Sequence, residues 1–278
     1  MNPLPHRRQM IAAAAAQQSR ATALADAGVD ALVAYHSSVY RDRGIASVAG
    51  LLPWDSANRQ TAQILPDVVG GVARATRDVP VVATVCANDA LRPIDTVVSR
   101  LARAGARAVL NAPTMGLHSG PVREALEAAG LGRAAEIELI HHAHRAGVQA
   151  WCYVFDAEWV ALAAAAGADA YIVHLGLTAP RSGNAPYPAD RMAAALGQAR
   201  SCLAGIDVVA LDAPVFLHGG PLTRPEVFVD LVNRLPPRTS GRPVGFFGGS
   251  ALDGPADDPA QALRHWRDRL DLLLENPA

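Results

Sequence analysis

The sequence contains no lysine: all 25 of its basic residues are arginine. Schiff-base aldolase chemistry, pyridoxal-phosphate chemistry and a lysine-based phosphate loop each need an ε-amine, so all three are excluded. Cysteine is also scarce. Cys86, Cys152 and Cys202 are odd in number, far apart and form no CxxC. That pattern fits a reducing, cytoplasmic setting without structural disulfides or a zinc knuckle. Neither charge sign dominates, with 25 basic against 26 acidic residues and a formal net charge of −1. No arginine run stands out, which argues against nucleic acid as a partner. No uncharged apolar run reaches 18 residues, because Glu158 and Asp169 interrupt the best candidate, Ala157–Gly176. A membrane span is therefore not expected. Arg7 and Arg8 ahead of Met10–Ala16 superficially resemble a signal peptide. The apolar stretch is short, alanine-rich and leads into a helical pattern, so export is not expected.

What is present is apolar bulk and alternation. Half of the 278 residues are hydrophobic and 18% are charged, enough to bury a large core. Short apolar runs alternate with longer Ala/Leu/Arg stretches. The runs are Met10–Ala14, Ala31–His36, Val79–Cys86, Ala108–Ala112, Ala150–Phe155, Ala170–Leu175, Val208–Leu217 and Pro243–Gly248. Nearly continuous apolarity predicts strands buried on both faces of a parallel sheet. The stretches between them carry helical patterns, for example Ala57–Arg77, Arg133–Arg145 and Ala189–Leu203.

Four joints repeat one punctuation: Ala27-Gly28-Val29-Asp30, Ala104-Gly105-Ala106-Arg107, Ala146-Gly147-Val148-Gln149 and Ala166-Gly167-Ala168-Asp169. A glycine there stops a helix in a left-handed turn and sends the chain into the next strand. Eight βα units in one chain predict an α/β fold, a (β/α)8 TIM barrel forming a single domain over residues 1–278. An open doubly wound sheet is the alternative, but Ala12–Ala16 lacks the glycines of a dinucleotide fingerprint.

In such a barrel, loops that follow strands carry function and loops that precede them carry stability. The long loop after the second strand offers His36, Tyr40, Arg41 and Arg43 to bind an anion or cover the mouth. Asp89 after the third strand is read as a general base or cation ligand, or else a helix cap. Asn111 and Thr114 after the fourth offer hydrogen bonds, and Glu136 follows on the next helix. His141, His142 and His144 are read as a solvated helix face, because a zinc helix wants histidines four apart with a glutamate between.

The loops after the last three strands are the most informative. His174, His218-Gly219-Gly220 and Gly248-Gly249-Ser250 would place two imidazoles beside backbone amides able to face an anion. The resulting reading is an enzyme, a hydrolase or lyase, acting on a small anionic keto or enol acid. His174, Asp89 and Glu136 are its acid/base candidates. Arg41, Asn111, Thr114, His218, Gly219, Gly220, Gly249 and Ser250 are its anion-binding candidates. A divalent metal is left open with no compelling ligand set, no other cofactor is indicated, and the alanine-rich outer helices leave room for self-association. A non-catalytic ligand- or protein-binding module is the alternative.

The combination of Tyr40-Arg41, Ser47 to Pro53, Cys86 with Asp89, Asn111 with Pro113-Thr114 and Gly116-Leu117, Glu136, Tyr153-Val154-Phe155, His174 to Thr178, His218 to Pro221 and Gly245-Phe246 with Gly248 and Ser250 resembles the phosphoenolpyruvate hydrolase-like TIM-barrel family. That family is similar to the C-terminal domain of a tomato inhibitor of tobamovirus RNA replication. The resemblance implies an eight-fold barrel and hydrolysis of phosphoenolpyruvate or phosphonopyruvate. Three mouth positions depart from the family pattern. Ala12–Ala16 replaces a Gly-Ala-Gly turn, His36-Ser37-Ser38 replaces Asn-Ser-Gly, and Ser119 replaces an Asp. A divergent member with another substrate fits these changes.

Overall fold

The computed structural model describes residues 9–51, 54–178, 187–252 and 258–275. Eight parallel strands close into a barrel in sequence order. They are β1 (Ile11–Ala15), β2 (Ala31–Ala34), β3 (Val81–Val85), β4 (Ala108–Asn111), β5 (Gln149–Val154), β6 (Ala170–His174), β7 (Val215–His218) and β8 (Gly245–Gly248), and β8 pairs back onto β1. The helices are α1 (Gln18–Asp26), α2 (Ser38–Arg41), α3 (Trp54–Arg74), α4 (Ile94–Arg103), α5 (Gly120–Ala128), α6 (Arg133–Arg145), α7 (Ala157–Ala165), α8 (Ala189–Val209), α9 (Pro225–Asn233) and α10 (Pro259–Glu275). None of the described helices is long and apolar enough to cross a membrane.

Burial explains why the strands read as unbroken apolar runs. Alternate residues face outward to the helices and inward to the bore, and both sets leave water. The bore is packed asymmetrically. Ala12 and Ala14 of β1 and Ala31 of β2 give one small-residue wall, and Trp151, Tyr153, Phe216 and Phe247 from β5, β7 and β8 fill the space opposite. Trp151 stacks on Phe216 with centroids 5.2 Å apart, so the lower bore is filled with rings.

The four glycine joints all adopt the left-handed conformation, at φ values of 91° (Gly28), 101° (Gly105), 75° (Gly147) and 90° (Gly167). Other boundaries move. The first strand runs one residue later than Met10–Ala14, and the helix read as Ala57–Arg77 is Trp54–Arg74. Val208 and Val209 do not open a strand. They finish α8, with Val208 83% exposed, and β7 begins at Val215 after Pro214. An apolar run had joined two elements across a turn. Helices α2 and α5 escaped the sequence reading. Helix α5 buries no residue, so no core stripe marks it. Arg7, Arg8 and Leu52-Pro53 lie outside the described residues.

Below the barrel, Arg267 of α10 donates to Asp30 at 2.8 Å, and Asp30 also accepts from the Ile11 amide at 2.7 Å. This largely buried pair ties the last helix to the entry of β1.

Candidate active site

Two histidines meet at the C-terminal rim. His174 ends β6, His218 ends β7, and the strand register sets them directly side by side. Their rings meet edge to face with centroids 4.8 Å apart. His218 stacks on Phe247 at 4.4 Å, and His174 is held between Phe155, stacked at 5.3 Å, and the edge of Tyr153 at 4.8 Å. Burial pulls the His218 pKa down to about 4, with the nearby Arg41 charge adding to the fall. Burial and then His218 itself hold His174 well below the ordinary imidazole value. Both rings are therefore neutral near pH 7.

Their hydrogen bonds fix opposite tautomers. His218 Nδ1 lies 2.9 Å from the Phe247 carbonyl, which only accepts, so Nδ1 carries the proton and Nε2 keeps a lone pair. His174 Nδ1 accepts from the Gly176 amide at 3.2 Å, so its proton sits on Nε2. One ring thus offers an acceptor and its neighbour a donor.

Arg41 supplies fixed charge. Helix α2 brings its guanidinium over the Tyr35 ring at 5.4 Å, where it donates to Ser38 Oγ at 2.7 Å, and the residue is buried. His36 anchors the loop that carries it. Its Nε2 lies 3.0 Å from the Gly50 carbonyl and Nδ1 3.4 Å from Thr84 Oγ1. Burial lowers the His36 pKa to about 4.

Tyr35, Ser37, Arg41, Ser47, His174, Thr178, His218 and Ser250 provide the polar lining of one cavity of about 40 Å3, which Gly249 also borders. That is roughly three times what a single water needs. No carboxylate lies among the described lining residues. Beneath it, the Tyr153 hydroxyl is buried beside that of Tyr35. Burial and the neighbouring Tyr35 push its pKa well above the phenol value.

Of the residues singled out from the sequence, Arg41, His174, His218, Gly249 and Ser250 are brought together here. The others are not in the lining. Gly219 and Gly220 take positive φ, but the Gly220 amide is spent on the Gly176 carbonyl at 2.9 Å. A Cβ at Gly219 would stand 2.3 Å from that carbonyl oxygen and 3.1 Å from His174 Cε1. Gly219 makes room for His174 and Gly220 for the Leu175 backbone. Asp89 accepts from Arg92 at 2.8 Å, Asn58 at 3.0 Å and the Leu91 amide at 3.0 Å. Burial alone would raise its pKa, but these bonds outweigh it and hold the carboxyl low, as an ionised staple of the β3 loop.

Glu136 is likewise committed. It accepts from the Asn111 amide, from Thr114 Oγ1 at 2.8 Å and from the Met115 amide at 2.5 Å, fastening the β4 loop. Asn111 also accepts from the Tyr153 amide at 2.6 Å. Full burial overrides these donors and raises the Glu136 pKa to about 7. A carboxyl raised in the fold stabilises it fully below its unfolded pKa, and the contribution fades as pH rises through about 7. Glu136→Gln is expected to remove a pH slope worth about 3 kcal/mol between pH 4.5 and 7, read by urea denaturation at several pH values.

Burial pushes the Cys86 thiol up to about 12, which leaves it inert near neutrality. Among the described residues no three His, Cys, Asp or Glu side chains gather as a metal site. His144 pairs with Asp169 at 3.0 Å and His142 with Arg145 at 2.7 Å on the surface of α6. Tyr35, Tyr153 and Phe247 pack around the two histidines and were not among the sequence candidates. An inward aromatic on a strand reads as core, and only barrel closure shows which rings end at the mouth.

The sequence profile of proteins described as phosphoenolpyruvate hydrolase-like matches residues 2–258. The chain belongs to the phosphoenolpyruvate hydrolase-like family. Among relatives of this family member is the ToMV resistance protein Tm-1 of tomato (Solanum lycopersicum), 35% identical over 230 residues, which cover 81% of this chain. The chain spans only 29% of that protein's length. Similar solved structures include the phosphoenolpyruvate phosphomutase of Streptomyces platensis subsp. rosaceus, with a TM-score of 0.53, 15% identity, and coverage of 96% of this chain and 82% of the other. A phosphonopyruvate hydrolase gives a TM-score of 0.50 and 16% identity, with coverage of 88% and 77%. At such identities the likeness to this phosphoenolpyruvate hydrolase-like chain is one of fold.

Proposed function

We propose that this protein is an enzyme, a hydrolase or lyase acting on a small anionic keto or enol acid at the barrel mouth. The observation that carries the reading is the opposed pair of tautomers beside a buried guanidinium. Arg41 would take the carboxylate or phosphate, with the Gly249-Ser250 turn bordering it. The His174 Nε2–H would donate to the carbonyl or enol oxygen as negative charge builds there. His218 Nε2 would accept a proton from the substrate or from an attacking water. A bound anion raises the proton affinity of both rings, so the pair gains basicity when a substrate is present. The family membership and the fold shared with a phosphonopyruvate hydrolase support this chemistry.

A non-catalytic binding module is the second reading. Its support is that Asp89 and Glu136 are tied into loops, which leaves the described lining without a carboxylate base. A thermal-shift screen of small keto, enol and phosphorylated acids, followed by turnover assays on the hits with and without divalent metal, separates the two. Binding with no turnover under any condition would favour the module. Either reading expects Arg41→Gln to weaken binding of the hits by roughly 10- to 100-fold, because a charge-assisted hydrogen bond in a buried site is lost. Unchanged affinity would remove Arg41 from the account.

A further inference from the structure

His174 is held by the sheet on one side and by a side chain on the other. The β6–β7 ladder runs as far as His174 and His218, and the Leu175 amide then donates to the His218 carbonyl at 2.8 Å. The β5–β6 ladder stops one residue earlier, at Val154 and Val173. Beyond that pair Gln198 of α8 spans the two strand ends. Its Nε2 donates to the Phe155 carbonyl at 2.9 Å and to the His174 carbonyl at 3.0 Å. Carbonyls only accept, so both amide hydrogens are committed and the orientation of the amide is fixed. Gln198 reaches this place because it lies three residues after Ala195 and four before Cys202, both buried, on the face that α8 turns inward.

The same amide holds the ring behind His174. Phe155 stacks on the imidazole with the planes 22° apart, and Trp159 lies against Phe155 at 5.0 Å. A Cβ at Gly116 would overlap the Phe155 ring, so the β4 loop also packs on it and leaves little room to shift. Gln198 itself is not in the described lining of the cavity.

We infer that Gln198 is a positioning residue, which ties the ends of β5 and β6 together and so keeps the His174 imidazole seated on Phe155 in the cavity wall. The inference rests on the reading of His174 as the hydrogen-bond donor to substrate and adds what holds that donor in place.

Gln198→Met keeps the length of the side chain and removes both donors, and Gln198→Lys restores a donor at similar reach. The NMR spectrum of the imidazole nitrogens in the full chain, at about pH 7.5, gives a readout that needs no substrate. His174→Asn assigns the His174 signals. The unaltered protein is expected to show His174 as one tautomer, protonated on Nε2. Gln198→Met should mix its tautomers or broaden its signals, because a loosened β6 end weakens the Gly176 bond that fixes them. Gln198→Lys should restore them in part, and His218 should keep its Nδ1 proton on the Phe247 carbonyl in both variants. On any acid that turns over in the screen above, Gln198→Met should lower kcat roughly 10- to 100-fold, as small misplacements of a reacting group do, with KM within about threefold. Gln198→Ala, with the best helix former, gives the same test should Gln198→Met fail to fold. Unmoved His174 signals or an unchanged kcat, even with lower thermal stability, make Gln198 a packing residue and overturn the inference. If no acid turns over, the functional reading fails and the imidazole signals alone decide on Gln198.

Discussion

Replacing His218 with asparagine is expected to lower turnover by 10²- to 10⁴-fold, the usual cost of losing a positioned acid or base. The variant is informative because of what it keeps. An asparagine amide has a donor for the Phe247 carbonyl that His218 Nδ1 now serves, so the anchor has a substitute while the Nε2 lone pair is gone. His174→Asn removes the partner donor and is expected to cost a similar factor. If the two rings act as a unit, the double variant will lose little more than either single one. The pH profile gives an independent reading. Both histidines are already neutral in the free protein, so kcat/KM should stay flat from pH 6 to 8 instead of rising through the ordinary imidazole value. A His218→Asn protein with unaltered turnover on a confirmed substrate would end the proposed role.

The same burial should make the fold sensitive to acid. His36 and His218 have pKa values near 4, His174 lies well below its usual value, and all three are buried. The unfolded chain takes up protons on these rings from about pH 6.5 downward, and the folded chain does not. Their stabilising effect is thus complete above pH 6.5 and is lost as pH falls toward 4. For His36 and His218 a shift from 6.5 to about 4 corresponds to about 3 kcal/mol each. Glu136 runs the other way and recovers about 3 kcal/mol over pH 7 to 4.5. The net loss from His36, His218 and Glu136 is on the order of 3 kcal/mol, and His174 adds to it in the same direction, a large part of the stability of many domains. Denaturant titrations between pH 4.5 and 7.5 should show a steep decline on the acid side. A bound carboxylate ligand that accepts a hydrogen bond from these rings would soften it. Stability that stays level or increases toward pH 5 would contradict the buried neutral state.

Much of the architecture was legible because it rests on local rules. Glycine at a helix end and unbroken apolar strands need no knowledge of distant contacts, and Gly28, Gly105, Gly147 and Gly167 behave as such rules require. Five of the residues the strand-end rule singled out, Arg41, His174, His218, Gly249 and Ser250, line one cavity. It does not separate lining residues from strand-end polar residues that hold a loop. Asp89 and Glu136 sit in the right part of the chain, yet their oxygens are claimed by Arg92, Asn58, Thr114 and the Met115 amide. Which donors reach a carboxylate is settled by the path of its loop, and no spacing in the sequence encodes that. The diglycine at Gly219-Gly220 lies outside the lining for a related reason. Its backbone freedom serves packing against the β6 turn. Tyr153 was hidden by its own chemistry, because a ring at an inward strand position packs whether or not its hydroxyl is needed.

The ring-filled bore has a kinetic corollary. Trp151 and Phe216 fill the channel below the histidines, so on the proposed function a guest enters by the doorway at the loop end, where the described lining residues lie. Incoming and outgoing molecules must use it in turn. A slow-leaving product would then obstruct its successor, and added product should inhibit competitively.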